Sequence, residues 1–377
     1  MRSAIVHYWL LGMRGGEKVI EELCRIMPQA DIFTLFYDPE RVSPLIRSHN
    51  VKASFLNPLR RHYKSLLPMT PLALETFDLR NYDLVVSSES GPAKGVITSA
   101  QTRHICYCHS PMRYLWDLYP AYLYEWTESA VKRALMAPLA NYLRLWDYSS
   151  AARVDQFIAN SRNVQKRVWR AYRRTSEVIY PPVAVDRFFH AAADDYYLIV
   201  SELAAYKRIG DAIRLFTKLG RRLKIAGDGP EYRGLKNLAG PSIEFCGRVP
   251  DEELPGLYAH SRALLVPGEE DFGIVAVEAM ASGKAVIGLG RGGTIESAPV
   301  VNPRAGFYYS EVGEAGLLSG LDAFEAAEDT LSSIAIRAHA MRFSERVFRR
   351  EMSRILLERE EDNADDWTVP AVMSAGR

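Results

Sequence analysis

The chain has 377 residues, 48% hydrophobic and 25% charged, with a formal net charge of +1. That length can bury two separate cores, and the composition is that of a globular protein, not a disordered or fibrous one. No run of about 18 apolar residues is present to cross a bilayer, and the opening MRSAIVHYWLL is too short in its apolar part for a secretory signal and reads as a strand.

The charge is unevenly placed. Residues 1–180 carry 24 Lys and Arg against 16 Asp and Glu, and the remainder 23 against 30. A basic first half suits phosphate-bearing partners or an anionic membrane surface, and it suits an ordinary solvated face equally well. No nucleic-acid-binding module is recognisable, so nucleic acid is not an expected partner. Cys24, Cys106, Cys108 and Cys246 show neither zinc spacing nor a disulfide framework, and reduced thiols in a cytoplasmic protein are expected.

In chain order, Ser3–Trp9 is the first expected strand. It leads through LLGMRGGEK into a helix over Glu17–Met27, with Val19, Ile20, Leu23 and Met27 on its apolar side. A strand, a glycine turn and a helix start can cradle a diphosphate with backbone amides, which makes Gly15 and Gly16 candidates. Ala30–Phe36 and Val51–Phe55 read as strands. Residues 57–76 mix Arg60, Arg61, His62 and Lys64 with leucines, as a membrane-resting stretch, a lid or an acceptor loop would. Tyr82–Ser87 and Arg103–Cys108 are further strands. His109 follows the latter, where ligands bind in open α/β sheets, although a satisfied core histidine is the plainer reading. Ser129–Ala151 is a long helix explained by packing. After the strand Gln156–Ala159, Ser161 caps a basic helix ending near Arg174, and Val178–Tyr180 is a last strand before Pro181-Pro182, which opens a hinge to about residue 195.

The second half repeats the alternation, so parallel strands are expected again. Tyr196–Ser201, Arg222–Ile225 and Ser242–Phe245 are strands, and Ile209–Leu219 is a helix. Lys207, after the first of these strands, is placed to meet phosphates. Ala263–Gly290 reads as strand, loop, helix, turn and strand, with the helix over Phe272–Ala281. It holds Glu270 and Glu278. Eight helical residues rise about 12 Å, whereas the two carboxyls of a retaining hydrolase sit roughly 5–5.5 Å apart. The pair therefore suits the two ends of one long polar ligand, with the amides of Phe272, Gly273 and Ile274 pointing into the same cleft. A buried helix with a charged first turn accounts for the same residues. Residues 332–361 are helical and charged, residues 358–366 acidic, and the tail to Arg377, expected to be disordered from about 361, lacks periodicity.

The run EDFGIVAVEAMASGKAVI resembles the E-x7-E signature of the retaining glycosyltransferases of family four, which have the GT-B fold. GGEK, AGDGP at Ala226–Pro230 and FCGRV at Phe245–Val249 support the likeness, and weaker similarity extends to about residue 350. The resemblance implies two Rossmann-like α/β domains with parallel sheets facing across a cleft. These are 1–182 on the acceptor side and 195–338 on the nucleotide-sugar side, with a helix at about 340–360 returning to the first. It implies that Gly15 and Gly16 face the donor diphosphate and that His109, in HSPMRYLWD, contacts the donor sugar, with Arg113, Tyr114 and Trp116 facing sugar or acceptor. It gives Glu270 the sugar hydroxyls, Glu278 the ribose, and the backbone of Arg248 and Val249 the base. HSPMRYLWD is similar to the same segment of bacterial mannosyltransferases that build exopolysaccharide or lipid-linked repeat units, which implies GDP-mannose as donor, with UDP-sugars as the alternative. No D-x-D triplet occurs, so neither a metal nor a cofactor is expected.

One departure stands out. The family's Ser-Arg-Leu is Ser201-Glu202-Leu203 here, which leaves Arg208 to replace the missing cation or Lys207 to act alone. A sugar phosphorylase, a nucleotide-sugar epimerase and a nucleotide-sugar-binding module without turnover share enough of the pattern to stay open.

Overall fold

A computed structural model describes residues 1–357 except 126 and 128; the expected disordered tail lies outside the described residues. The first lobe is built on seven strands: β1 (Ser3–Leu10), β2 (Asp31–Tyr37), β3 (Val51–Ala53), β4 (Leu84–Glu89), β5 (Arg103–Cys108), β6 (Gln156–Ala159) and β7 (Ser176–Val178). They pair in the order β3-β2-β1-β4-β5-β6-β7, every pair parallel. The second lobe has β8 (Tyr197–Val200), β9 (Leu223–Ala226), β10 (Ile243–Gly247), β11 (Ala263–Val266), β12 (Ala285–Leu289) and β13 (Gly306–Tyr309), in the order β10-β9-β8-β11-β12-β13. These pairs too are parallel.

The strand order explains where a ligand can sit. In each sheet the chain starts at the middle, runs outward to one side, then returns to build the other. The crevice at the carboxyl ends, where this reversal happens, is where open α/β sheets bind ligands. In the first lobe the reversal falls between β1 and β4, in the second between β8 and β11.

Helices cover both faces of each sheet, so the central strands read as unbroken apolar runs. Those that matter here are α1 (Gly15–Ile26), α2 (Ala130–Ser150), α3 (Arg162–Tyr172), α4 (Ile209–Leu219), α5 (Ile274–Ala281) and α6 (Glu345–Leu357). Helix α6 closes the first lobe: Phe348, Met352 and Ile355 pack with Ile5, Ile20, Leu23 and Ile105 in one core. Arg349 meets the buried Glu22 at 2.5 Å, and Arg103 donates to the carbonyl of Ile355 at 3.0 Å. The connection after β7 runs beside the entry to α6, where Val183 N donates to Phe343 O at 2.9 Å. The two lobes thus share two adjacent crossings.

Several boundaries differ from the sequence-based expectation for local reasons. Helix α1 starts at Gly15, two residues early, because Arg14 is extended and its amide donates to Glu17 Oε2 at 3.0 Å. Helix α5 starts at Ile274 because Gly273, at φ 87°, stands in the left-handed region just before it. Glu270 therefore lies in a loop and not one helical rise below Glu278. Strand β13 was not anticipated; four residues, GFYY, are recognised only by pairing with β12.

Candidate active site

Between the lobes is a chamber of about 260 Å³ whose wall includes His109, Asn160, Lys207, Glu270, Gly273 and Ile274. On the first-lobe side, β1 ends at Leu10 and the chain turns into α1 through Gly15 and Gly16. The lobes come close here: a Cβ on Gly15 would stand 2.8 Å from Ile274 Cδ1. A Cβ on Gly16 would stand 3.5 Å from His7 Cε1 and 3.8 Å from His109 Nε2. Side chains at these positions would fill the gap, and their absence leaves the first amides of α1 facing the first amides of α5. Amides in the first turn of a helix lack intrahelical partners and favour anions.

His109 leaves β5 with its amide donating to Glu89 O at 2.6 Å and its Nε2 2.9 Å from Ser88 Oγ. Burial, with the neighbouring His7 adding to it, pushes the imidazole down to about 3. His109 is therefore a neutral hydrogen-bonding group across the physiological range. An NMR titration of the ring is expected to show no midpoint above pH 5; a midpoint near the ordinary 6.5 would contradict this environment. Behind the loop that follows lies a charged knot, Lys94, Glu89 and Asp147, with no exposure on any of the three side chains. Burial pushes Glu89 up to about 7 despite the pull of Lys94. Trp116 Nε1 and Tyr172 OH donate to Asp147 Oδ2 at 2.7 and 2.9 Å. Trp116 is thus tied to this knot, and Tyr114 OH to the sulfur of Met112 at 3.0 Å. Neither lines the chamber.

On the second-lobe side, Lys207 Nζ meets both carboxylate oxygens of Glu270 at 2.6 Å. Burial works against the ammonium, but Glu270 outweighs it and holds its pKa above the ordinary lysine value. Arg208, at φ 55°, turns the other way: its Nε donates to Asp211 Oδ2 at 2.9 Å on the first turn of α4. It does not reach the chamber. The charge at Glu202 is met from the opposite lobe, where Arg14 Nη1 stands 3.8 Å from Glu202 Oε2. Phe272 contributes backbone only, since its ring packs on Tyr180 and Phe343 at 5.4 and 5.5 Å.

Glu278 is buried on α5, where Tyr258 OH donates to it at 2.7 Å and burial raises its pKa. It stands apart from the wall that holds Glu270 and feels Lys18 and Arg187 as attractive charges and Asp251 as a repulsive one. Lys18, on α1, reaches Asp251 at 3.1 Å, just beyond Arg248 and Val249 in the loop after β10. The two glutamates therefore face two ends of one seam, with Gly15, Gly16 and Ile274 between them.

The first part of the chain, residues 13–187, matches the family model described as Glycosyltransferase Family 4, and residues 185–299 match Glycosyl transferases group 1. Each lobe thus contains a stretch matched by a glycosyltransferase family model. An uncharacterized glycosyltransferase of Methanocaldococcus jannaschii is 27% identical over 144 residues, covering 37% of this chain and 41% of that one. The chain thus matches less than half the length of that relative. Among solved structures, Anabaena HepE in complex with UDP and glucose superimposes with a TM-score of 0.68 at 16% identity, covering 95% of this chain and all of that one. Sucrose-phosphate synthase of Thermosynechococcus elongatus gives 0.69 at 15% identity, covering 95% and 98%. These likenesses establish the GT-B arrangement of the two lobes.

The two lobes are fastened beside the chamber by a clasp that sequence reasoning did not anticipate. Arg167 on α3 pairs with Asp271 and with Glu269 Oε1, the latter at 2.5 Å, and donates to Ser110 Oγ at 3.3 Å. Arg113 donates to Glu269 O at 3.3 Å and stands 3.4 Å from Asp271 Oδ1. Ser161 Oγ donates to Asp271 O at 2.7 Å, and the amides of Arg162 and Asn163 at the start of α3 donate to the Glu296 carboxylate, each at 2.7 Å. Arg113, expected against sugar or acceptor, is part of this clasp. The acidic residues around Glu270 thus grip the facing lobe.

Proposed function

We propose that this chain transfers a hexose from a nucleoside-diphosphate sugar to a saccharide acceptor, with retention at the anomeric carbon and without a metal. The observation that carries the reading is the meeting of Gly15–Gly16 with the start of α5 beside the Lys207–Glu270 pair. A diphosphate there would lie between two sets of unpartnered helix amides, with one ammonium at hand. Charge developing on the leaving group is met by Lys207 and these fixed dipoles. Glu270 and His109 take the sugar end, and Glu278 with the Arg248–Val249 loop takes the nucleoside end. The bond from the anomeric carbon to the phosphate oxygen breaks, the bond to the acceptor oxygen forms on the same face, and the leaving phosphate accepts the acceptor's proton. Lobe closure excludes water from the step.

Mannose from GDP-mannose is the proposed donor, on the likeness of HSPMRYLWD. A UDP-sugar is the second reading, favoured by HepE, which shares the fold and is solved with UDP and glucose. Incubation with labelled GDP-mannose and UDP-glucose and a lipid extract separates them: transfer from GDP-mannose alone is expected, transfer from UDP-glucose alone establishes the second reading, and binding without product removes the reaction.

The acceptor is assigned to a second cavity, of about 720 Å³, in the first lobe next to the glycine turn. Trp9 and Tyr63, edge to face at 4.9 Å, give it an apolar wall for a sugar ring, and Arg41, Arg60 and Arg61 give it donors. A lipid-linked or polysaccharide acceptor suits this placement. No helix among the described residues is long and apolar enough to cross a membrane. The stretch after β3 forms short 3-10 turns with Phe55 and Leu59 exposed beside Arg61 and Lys64. We assign to it a peripheral seat on an anionic surface, at the cytoplasmic face of the plasma membrane. Cosedimentation with phosphatidylglycerol vesicles that weakens with salt is expected; no cosedimentation at low salt contradicts the seat.

A further inference from the structure

The chamber contains a polar atom that the protein leaves without a partner. Asn160 follows β6 and precedes Ser161, whose hydroxyl caps α3 by accepting from Val164 N at 3.0 Å. Its own amide donates to Cys108 O at 3.3 Å, so the residue is pinned between β5 and α3. Its side chain stands on the chamber wall with His109, Lys207 and Glu270. Asn160 is 5% exposed, yet its Oδ1 finds no hydrogen-bond donor. Among the described residues four other buried side-chain atoms share this condition, on His7, Ser176, Ser282 and Thr294, and none of those residues lines the chamber.

Buried carbonyl oxygens are paired in the great majority of cases, and one left alone bears the full cost of losing water. Lys207 is engaged with Glu270, His109 Nε2 lies beside Ser88 Oγ, and Ser201 donates to the carbonyl of Glu202 at 3.0 Å, while the Tyr206 hydroxyl on the same wall makes no hydrogen bond to Asn160 Oδ1. What the site lacks is a donor. The oxygens of an ionised diphosphate only accept hydrogen bonds, so they cannot supply it. A sugar hydroxyl can.

We propose that Asn160 is a sugar-recognition residue, its side-chain carbonyl accepting a hydrogen bond from a hydroxyl of the sugar held in the chamber. The inference rests on the donor reading above and adds a contact to it. An uncharged acceptor also fits a wall that already carries Glu202, Glu270 and Asp271, where a further carboxylate would repel its neighbours and the diphosphate.

The test is titration calorimetry on the full chain with four probes: UDP, UDP-glucose, GDP and GDP-mannose. Asn160→Ala and the similarly sized Asn160→Leu are each expected to weaken the sugar nucleotide that the wild type binds by about tenfold, the loss of one neutral hydrogen bond. Affinity for the matching nucleoside diphosphate is expected to stay unchanged, and the melting temperature of the free protein not to fall. A sugar-to-diphosphate affinity ratio equal to wild type in both variants overturns the proposal alone. An equal loss for the bare diphosphate also overturns it, because the residue would then act through the fold. A wild type that binds none of the four probes overturns this inference and the donor reading together.

Discussion

Glu270→Ala is expected to lower turnover by about 10²–10³-fold at saturating donor, the range seen when one group aimed at a transition state is removed. Two effects combine. The variant loses the carboxylate assigned to the sugar hydroxyls, and it frees Lys207, whose ammonium is held by both oxygens of that carboxylate at 2.6 Å. The pair is not a surface ion pair, since its side chains are only 14% and 17% exposed. Removing one partner therefore leaves a charge in a partly dry place and also lowers the melting temperature. The fold is expected to survive, because the backbone of Glu270 is anchored independently: Gly293 N donates to its carbonyl at 2.8 Å. Glu270→Gln keeps the shape and removes the charge. Turnover near wild type in both variants would take Glu270 out of the site.

The second large effect is expected from Arg167→Ala. One guanidinium, 12% exposed, joins Glu269 and Asp271 across the seam while holding Ser110 of its own lobe. Truncating one member of a buried, hydrogen-bonded charge pair costs about 2–5 kcal/mol. Part of that loss falls on lobe closure, because α3 keeps its amide contacts with Glu296 and Arg113 keeps its contact with Asp271. A closure equilibrium weakened by about 2 kcal/mol lowers kcat/KM roughly 30-fold. Solution scattering is expected to show a larger radius of gyration in the ligand-free variant. An unchanged kcat/KM and an unchanged radius would mean that the clasp is incidental to closure.

The fold was legible because alternating strands and helices leave a strong local signal, and the expected strands of the first lobe all appear within a few residues of their places. The exceptions are instructive. Gly273 stops a helix that apolar content alone extended to Phe272, because backbone handedness is invisible in hydropathy. Strand β13 is too short to register before its partner is known.

The chamber was legible in part, because Lys207, Glu270 and His109 each follow a strand's carboxyl end, as the Gly15–Gly16 turn beside it follows β1. What escaped was every contact made between distant parts of the chain. Arg167 and Glu269 are 102 positions apart, and Ser161 and Asp271 are 110 apart. Contacts around Glu202 were equally hidden: Arg208, offered with Lys207 acting alone as the answer to the missing phosphate cation, pairs with Asp211, and Glu202 itself faces Arg14 of the other lobe. Trp116 illustrates a third limit: it was expected against sugar or acceptor, whereas its Nε1 donates to Asp147 behind the chamber.

The central claim is that a donor diphosphate is held between the glycine turn of the first lobe and the start of α5 in the second. A crystal structure of the protein soaked with GDP or UDP tests it most directly. The account predicts diphosphate density within hydrogen-bond distance of the amides of Gly16 and Ile274, with Lys207 Nζ turned toward it. Diphosphate bound in the first-lobe cavity near Arg41 and Arg60, with the space between Gly16 and Ile274 empty, would contradict it.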